Sequence, residues 1–141
     1  FYARHFIGRT PRDLRLELLS RTADAERVVD EMMISFTHNI EMPWMLPGIA
    51  PTRRRVEIPV VAVIAFRGGK VDREHIYWDQ ASVLAQIGLL PTADLPVLGA
   101  GQARALRDPS VPLNTLLKPS GRTLTDRRDR GAGAWRTLRV S

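Results

Sequence analysis

The chain has 141 residues, 44% apolar and 26% charged, which suits one small globular domain with a single core. Cysteine is absent, which excludes disulfides and thiolate chemistry, and His5, His38 and His75 lack metal-ligand spacing, so neither a metal nor another cofactor is expected. The net charge of +6 sits almost wholly in residues 118–141, where seven basic residues face two acidic ones, so no nucleic-acid partner is expected of the nearly neutral remainder.

That C-terminal stretch, rich in Arg, Gly, Ser and Thr with only scattered apolar residues, reads as a disordered tail, leaving residues 1–117 as the folded domain. The longest apolar run, residues 58–66, is interrupted by Pro59 and falls far short of the roughly 20 residues that span a bilayer, so no membrane partner is expected. The chain opens on Phe1 and no secretory leader follows. This points to a cytoplasmic protein and to a fragment or processed form.

Residues 1–12 form an irregular aromatic-basic lead-in that ends near Pro11. The alternation of Leu14, Leu16 and Leu18 with Arg15 and Glu17 predicts a half-buried strand over 14–21, and residues 22–26 supply a turn. Residues 27–38 fit helix or strand by period; the β-branched valines and the short loop favour a strand, paired back in an antiparallel hairpin. Residues 39–54 are a long connection broken by Pro43, Pro47, Gly48 and Pro51, with Trp44 and Met45 in its middle, and a loop of that kind folds over something.

Residues 55–67 are the cleanest strand, apolar on both sides, and are expected to lie centrally and to be covered on both faces. Gly68-Gly69 then turns a tight hairpin, 70–78 returns antiparallel, Asp79 suits an N-cap, 80–87 a helix, and Gly88 its stop. Beyond Leu90 the chain is loop-rich, with one short helix at 102–107. The sum is an α+β fold of about four antiparallel strands with helices gathered to one side.

On the returning strand, Val71, Arg73, His75, Tyr77 and Asp79 share one face, and Asp72, Glu74, Ile76, Trp78 and Gln80 the other. This mixture of titratable and aromatic groups looks like one wall of a pocket. His75 and Asp79 lie about 13 Å apart along an extended strand and cannot bond directly, so an acid–base pair needs a partner from another strand, His38 or Glu57. Each group also has a plain structural role: Asp79 as helix cap, His75 as a sheet residue bonded to a neighbour, Trp44 and Trp78 as core.

Gly68-Gly69-Lys70-Val71, the pairs Glu74-His75 and Trp78-Asp79, and then Leu84-Ala85-Gln86-Ile87-Gly88-Leu89-Leu90-Pro91 resemble the end of a SnoaL-like domain of the nuclear transport factor 2-like superfamily. His38 followed by Pro47-Gly48-Ile49-Ala50-Pro51-Thr52 before the central strand is similar to an earlier motif of the same family. The resemblance covers residues 12–90. It implies a curved sheet that forms, with helices, a cone around an apolar cavity, and an activity of cyclase, isomerase or dehydratase type on a small, largely apolar carbonyl compound. It implies Asp79, His75 and His38 as candidate acid–base residues, with Glu74, Tyr77, Trp78 and Trp44 lining the pocket. A non-catalytic ligand-binding or dimerisation module of the same fold is the alternative. Two departures stand out: Arg54 is read in place of the family's glycine after Pro-Thr, and the family's helices before the first strand are missing here. An uncovered apolar face is then expected, for which a second copy in a homodimer supplies the cover.

Overall fold

The computed structural model describes residue 4 and residues 6–117; the tail at 118–141 and His5 lie outside the described residues. In chain order come β1 (Arg15–Ala23), β2 (Arg27–Thr37), β3 (Arg55–Arg67), β4 (Lys70–Trp78), α1 (Gln80–Gln86) and α2 (Gly101–Arg107). The strands form one curved antiparallel sheet in the order β1-β2-β3-β4. Every element expected from the sequence is present, with ends shifted by no more than two residues.

Local chemistry accounts for the turns. Asp24 accepts hydrogen bonds from the backbone N–H groups of Glu26 and Arg27, both at 2.8 Å, and so closes the β1–β2 hairpin. Gly68 and Gly69 have φ of 57° and 72°, the pair of positive values that a two-residue turn needs to match strand twist.

The register sorts side chains onto two faces. Ile34 lies opposite Ile58, Phe36 opposite Val56, and Met32 opposite Val60, while Trp78 and Ile76 pair with Val60 and Ala62 from the other side. This is the core face. The 39–54 connection folds over one half of it, burying Met42, Met45 and Leu46 against Phe36, Val56 and Ile58, and α1 adds Val83 and Ile87. Each large side chain buried there contributes roughly 1.5–3 kcal/mol.

β4 pairs with β3 only from Val60 onward, so the first residues of β3 have no strand on that side. The Gln86 side chain of α1 takes the strand's place: its Oε1 accepts from the Glu57 N–H at 2.9 Å and its Nε2 donates to the Glu57 carbonyl at 3.0 Å. An amide side chain thus satisfies backbone groups that would otherwise face a helix unpaired. α2 is anchored on the opposite, outer face, where Arg107 reaches Glu17 and Glu57.

Three expectations need correcting. The helices are not gathered to one side, since α1 packs on the core face through Val83 and Ile87 while α2 lies on the outer face. β3 is central but not covered on both sides, because α2 caps only the Glu57 end of the outer face and leaves Val61 36% exposed. The residue in the left-handed conformation is Arg53, with φ of 60°, which directly follows Pro51-Thr52, so Arg53 rather than Arg54 takes the backbone shape that a glycine favours. The Arg54 guanidinium instead packs on Gly88, 2.8 Å from where a Cβ would stand, and with φ of 80° Gly88 holds a backbone shape that a residue with a Cβ rarely adopts.

Candidate functional site

The half of the core face that the 39–54 connection leaves open begins at Met32 and ends at a charged pair. Leu16, Leu18 and Ile76 line it at 54%, 50% and 40% exposure, high values for apolar side chains on the inner side of a sheet. At its end Asp30 is only 5% exposed, and Arg21 grips both carboxylate oxygens, Nε at 2.6 Å and Nη2 at 2.7 Å. These are short, charge-assisted, bidentate bonds. They hold the Asp30 carboxyl below the usual aspartate range, hydrogen bonding outweighing the opposing effect of burial.

A one-residue irregularity creates this pair. Leu18 lies opposite Met32, but the next pairing is Ser20 with Glu31, so Leu19 is looped out and Arg21 meets Asp30. Without the bulge Ser20 would stand there, and Arg21 would point from the other face. Glu74, half-buried, occupies the same face two positions along β4 from Ile76.

The residues singled out in the sequence do not converge. Asp79 is the N-cap of α1: Oδ1 accepts from the Ser82 N–H at 3.1 Å and Oδ2 from the Ser82 hydroxyl at 2.7 Å. His75 and Tyr77 stand on the outer face opposite Val63 and Val61, both exposed, their rings edge to face at 6.5 Å. Glu74 and Trp78 are on the core face, as strand alternation requires, so the proposed pocket wall is split across the sheet. Trp78 packs on the core and donates from Nε1 to Gln80 at 2.7 Å, and Gln80 in turn donates to the Met45 carbonyl at 3.0 Å, tying α1 to the 39–54 connection. Trp44 packs on the same core and tilts against Phe6, with ring centroids 5.1 Å apart.

His38 is fully buried at the end of β2. The Thr52 N–H points to its Nδ1 at 3.3 Å, which makes Nδ1 the acceptor and puts the proton on Nε2. Nε2 has no hydrogen-bond partner among the described residues, and burial pushes the His38 pKa down. The ring is therefore held neutral.

The outer face carries a separate polar cleft of about 430 Å³ beneath α2. Arg107 bridges Glu17 and Glu57 at 3.1 and 3.2 Å, while Arg55 lies 3.6 Å from Asp13 and 3.5 Å from Glu57, over buried Ser35 and Met33. Three cations and three carboxylates line this cleft, and two of the acids are already clamped by Arg107, so its first role is to hold α2 in place. Asp30 and Arg21 were not singled out in the sequence. The available signal was a charged residue at an inward position of an otherwise apolar strand.

No protein-family profile and no curated protein matches the chain. Among solved structures it is similar to TsrD from Streptomyces laurentii, at 19% identity and a TM-score of 0.51 over 62% of this chain and 61% of that one. It is similar to AclR, a candidate hydroxylase from Streptomyces galilaeus, at 29% identity and a TM-score of 0.50 over 60% of each chain. A candidate SnoaL-like polyketide cyclase from Jannaschia sp. CCS1 also matches, at 18% identity and a TM-score of 0.49 over 59% and 55%. The matched region thus spans about three fifths of the length of these proteins. With four antiparallel strands and a hairpin closing on a capped helix, the chain shares the α+β fold of TsrD and AclR over about three fifths of its length, the fold class that the resemblance to SnoaL-like domains implied.

Proposed function

We propose that this chain is a cytoplasmic small-molecule enzyme or binding protein that takes a small, largely apolar carbonyl compound on the open half of its core face. The observation that carries the reading is Asp30, a nearly buried, ionised carboxylate held by Arg21 at the end of an uncovered apolar surface. The likeness to AclR, a candidate hydroxylase, supports a small-molecule role.

Proton abstraction beside a carbonyl needs a donor for the oxygen and a base for the carbon. Arg21, about half exposed, supplies the donor. A carbonyl oxygen that takes one of its N–H groups loosens the grip on Asp30 and raises the basicity of that carboxylate where the proton must go. Asp79, His75 and His38 serve this less well, since their side chains are spent on a cap, turned to the outer face, or enclosed. A second copy of the chain laid over Leu16, Leu18 and Ile76 would exclude water from the bound molecule, and this is the proposed homodimer.

The test is a titration of the ¹⁵N-labelled chain with 1-tetralone, a bicyclic ketone. Amide shifts are expected at residues 16–18, 30, 32 and 76, and Ile76→Glu should weaken binding by about tenfold or more, the cost of setting a charge against an apolar ligand. Shifts confined to the outer face, or binding indifferent to Ile76→Glu, would sink the reading.

A further inference from the structure

A second cleft, of about 530 Å³, opens where the lead-in meets the far end of the sheet, lined by Gly8, Thr10, Arg12, Asn39, Ile40 and Arg53. Asn39 follows the end of β2, whereas Asp30 lies near its start, so this cleft is distinct from the core-face site.

Its electrostatics differ from the rest of the domain. In the cleft beneath α2 three arginines stand among three carboxylates, and Arg55 and Arg107 pair with them. Here Arg12 and Arg53 make no ion pair among the described residues, and no carboxylate lines the cleft. The neighbouring acid Asp13 is already taken: its carboxylate accepts from the Thr37 hydroxyl at 2.7 Å and from the Thr37 N–H, and it lies beside Arg55. Two guanidinium groups without an ion pair on one concave surface attract an anion, with the nearest acids in sequence, Asp13 and Glu41, outside the lining.

Arg53 is also held in place at a cost. Its φ of 60° is one that side chains with a Cβ avoid, yet the Arg53 N–H donates to the His38 carbonyl at 2.8 Å and the His38 N–H donates to the Arg54 carbonyl at 2.9 Å, which locks the segment. A glycine would relieve that strain and lose the cation. Arg53 and Arg12 come from two separate segments of chain and both line this cleft.

We propose that this cleft binds a phosphomonoester, its phosphate between Arg12 and Arg53 and its organic part against Ile40. Two formal positive charges match a dianion. Three terminal phosphate oxygens can accept from both guanidinium groups and from the Thr10 hydroxyl or the Asn39 amide at once, and a dianion offers these donors more acceptor sites and twice the charge of a carboxylate. The volume exceeds that of a lone phosphate and leaves room beside Ile40 for an attached apolar group.

The full 141-residue chain is titrated at low salt with phenyl phosphate and, separately, with phosphatidylcholine vesicles with and without phosphatidic acid. Binding is expected to perturb the amides of Thr10, Asn39 and Arg53, and to weaken about tenfold or more in Arg12→Gln and in Arg53→Gly. Arg53→Gly should not lower the urea midpoint, because glycine suits the backbone there, so lost binding cannot be ascribed to lost folding. Binding of phenyl phosphate that both substitutions abolish supports a soluble ligand, and vesicle binding that needs phosphatidic acid and is lost in both supports a lipid one. No binding of either at about 10 mM phosphate, or binding that both substitutions leave unchanged, overturns the proposal.

Discussion

Asp30 and Arg21 show how much one residue's setting decides. The same two residue types at the surface, as in Arg67 and Asp72 at 3.3 Å with the arginine 81% exposed, contribute little. Asp30 is different because its side chain is 7% exposed and both oxygens are engaged. Replacing Asp30 with Ala should cost about 1–3 kcal/mol, since the arginine left behind can turn to water. Arg21→Ala should cost more, since it leaves a nearly buried carboxylate without its partner. Urea denaturation of both variants checks the order, and equal costs would mean that Asp30 is resolvated as readily as Arg21. The pair could not be read from the sequence, where Asp30-Glu31 sits in a run that fits helix as well as strand, and nothing local marks Leu19 as the looped-out residue. Asp79, Trp78 and Gly88 were legible because caps, core aromatics and helix stops act within a few residues of themselves.

At the scale of elements, the β4–α1 unit is a strand that hands its edge position to a helix. Asp79 starts α1, Gln80 fastens it to Met45, and Gln86 completes the hydrogen bonding of Glu57 on β3. The cap is therefore structural in its geometry. Asp79→Ala should lower stability by about 1 kcal/mol, read by thermal denaturation, while leaving tetralone binding unchanged at temperatures where the chain is folded. A binding defect at unchanged stability would instead return Asp79 to the list of functional groups. The strands themselves were legible: alternation, the Asp24 turn and the Gly68-Gly69 hairpin act over neighbouring residues. The side of the sheet on which α2 lies was not, since it is set by Arg107 meeting Glu17 and Glu57, residues 90 and 50 positions away.

Over the whole molecule, pH should act in two steps. The pKa of His38 is lowered on folding, so the unfolded chain takes up this proton first, and stability present above the ordinary histidine value falls as pH drops below it. The slope for one such proton is at most about 1.4 kcal/mol per pH unit. A second fall comes at lower pH, as the aspartates with depressed pKa, Asp13, Asp24, Asp30 and Asp108, are protonated. Urea midpoints measured at pH 7.5, 5.5 and 3.5 should show both steps, and His38→Gln should remove the first alone. If the first step survives that substitution, His38 is not its source. No helix among the described residues is long and apolar enough to cross a membrane. The sequence by itself determined the four strands, the hairpin, the capped helix and the resemblance to SnoaL-like domains, because side-chain alternation, turn glycines and caps are short-range properties of the chain. Only the tertiary structure decided which carboxylate meets which arginine, which half of the core face stays open, and where Arg12 and Arg53 come together. Those depend on a one-residue bulge, on strand register and on contacts between segments far apart in sequence, none of which leaves a local mark.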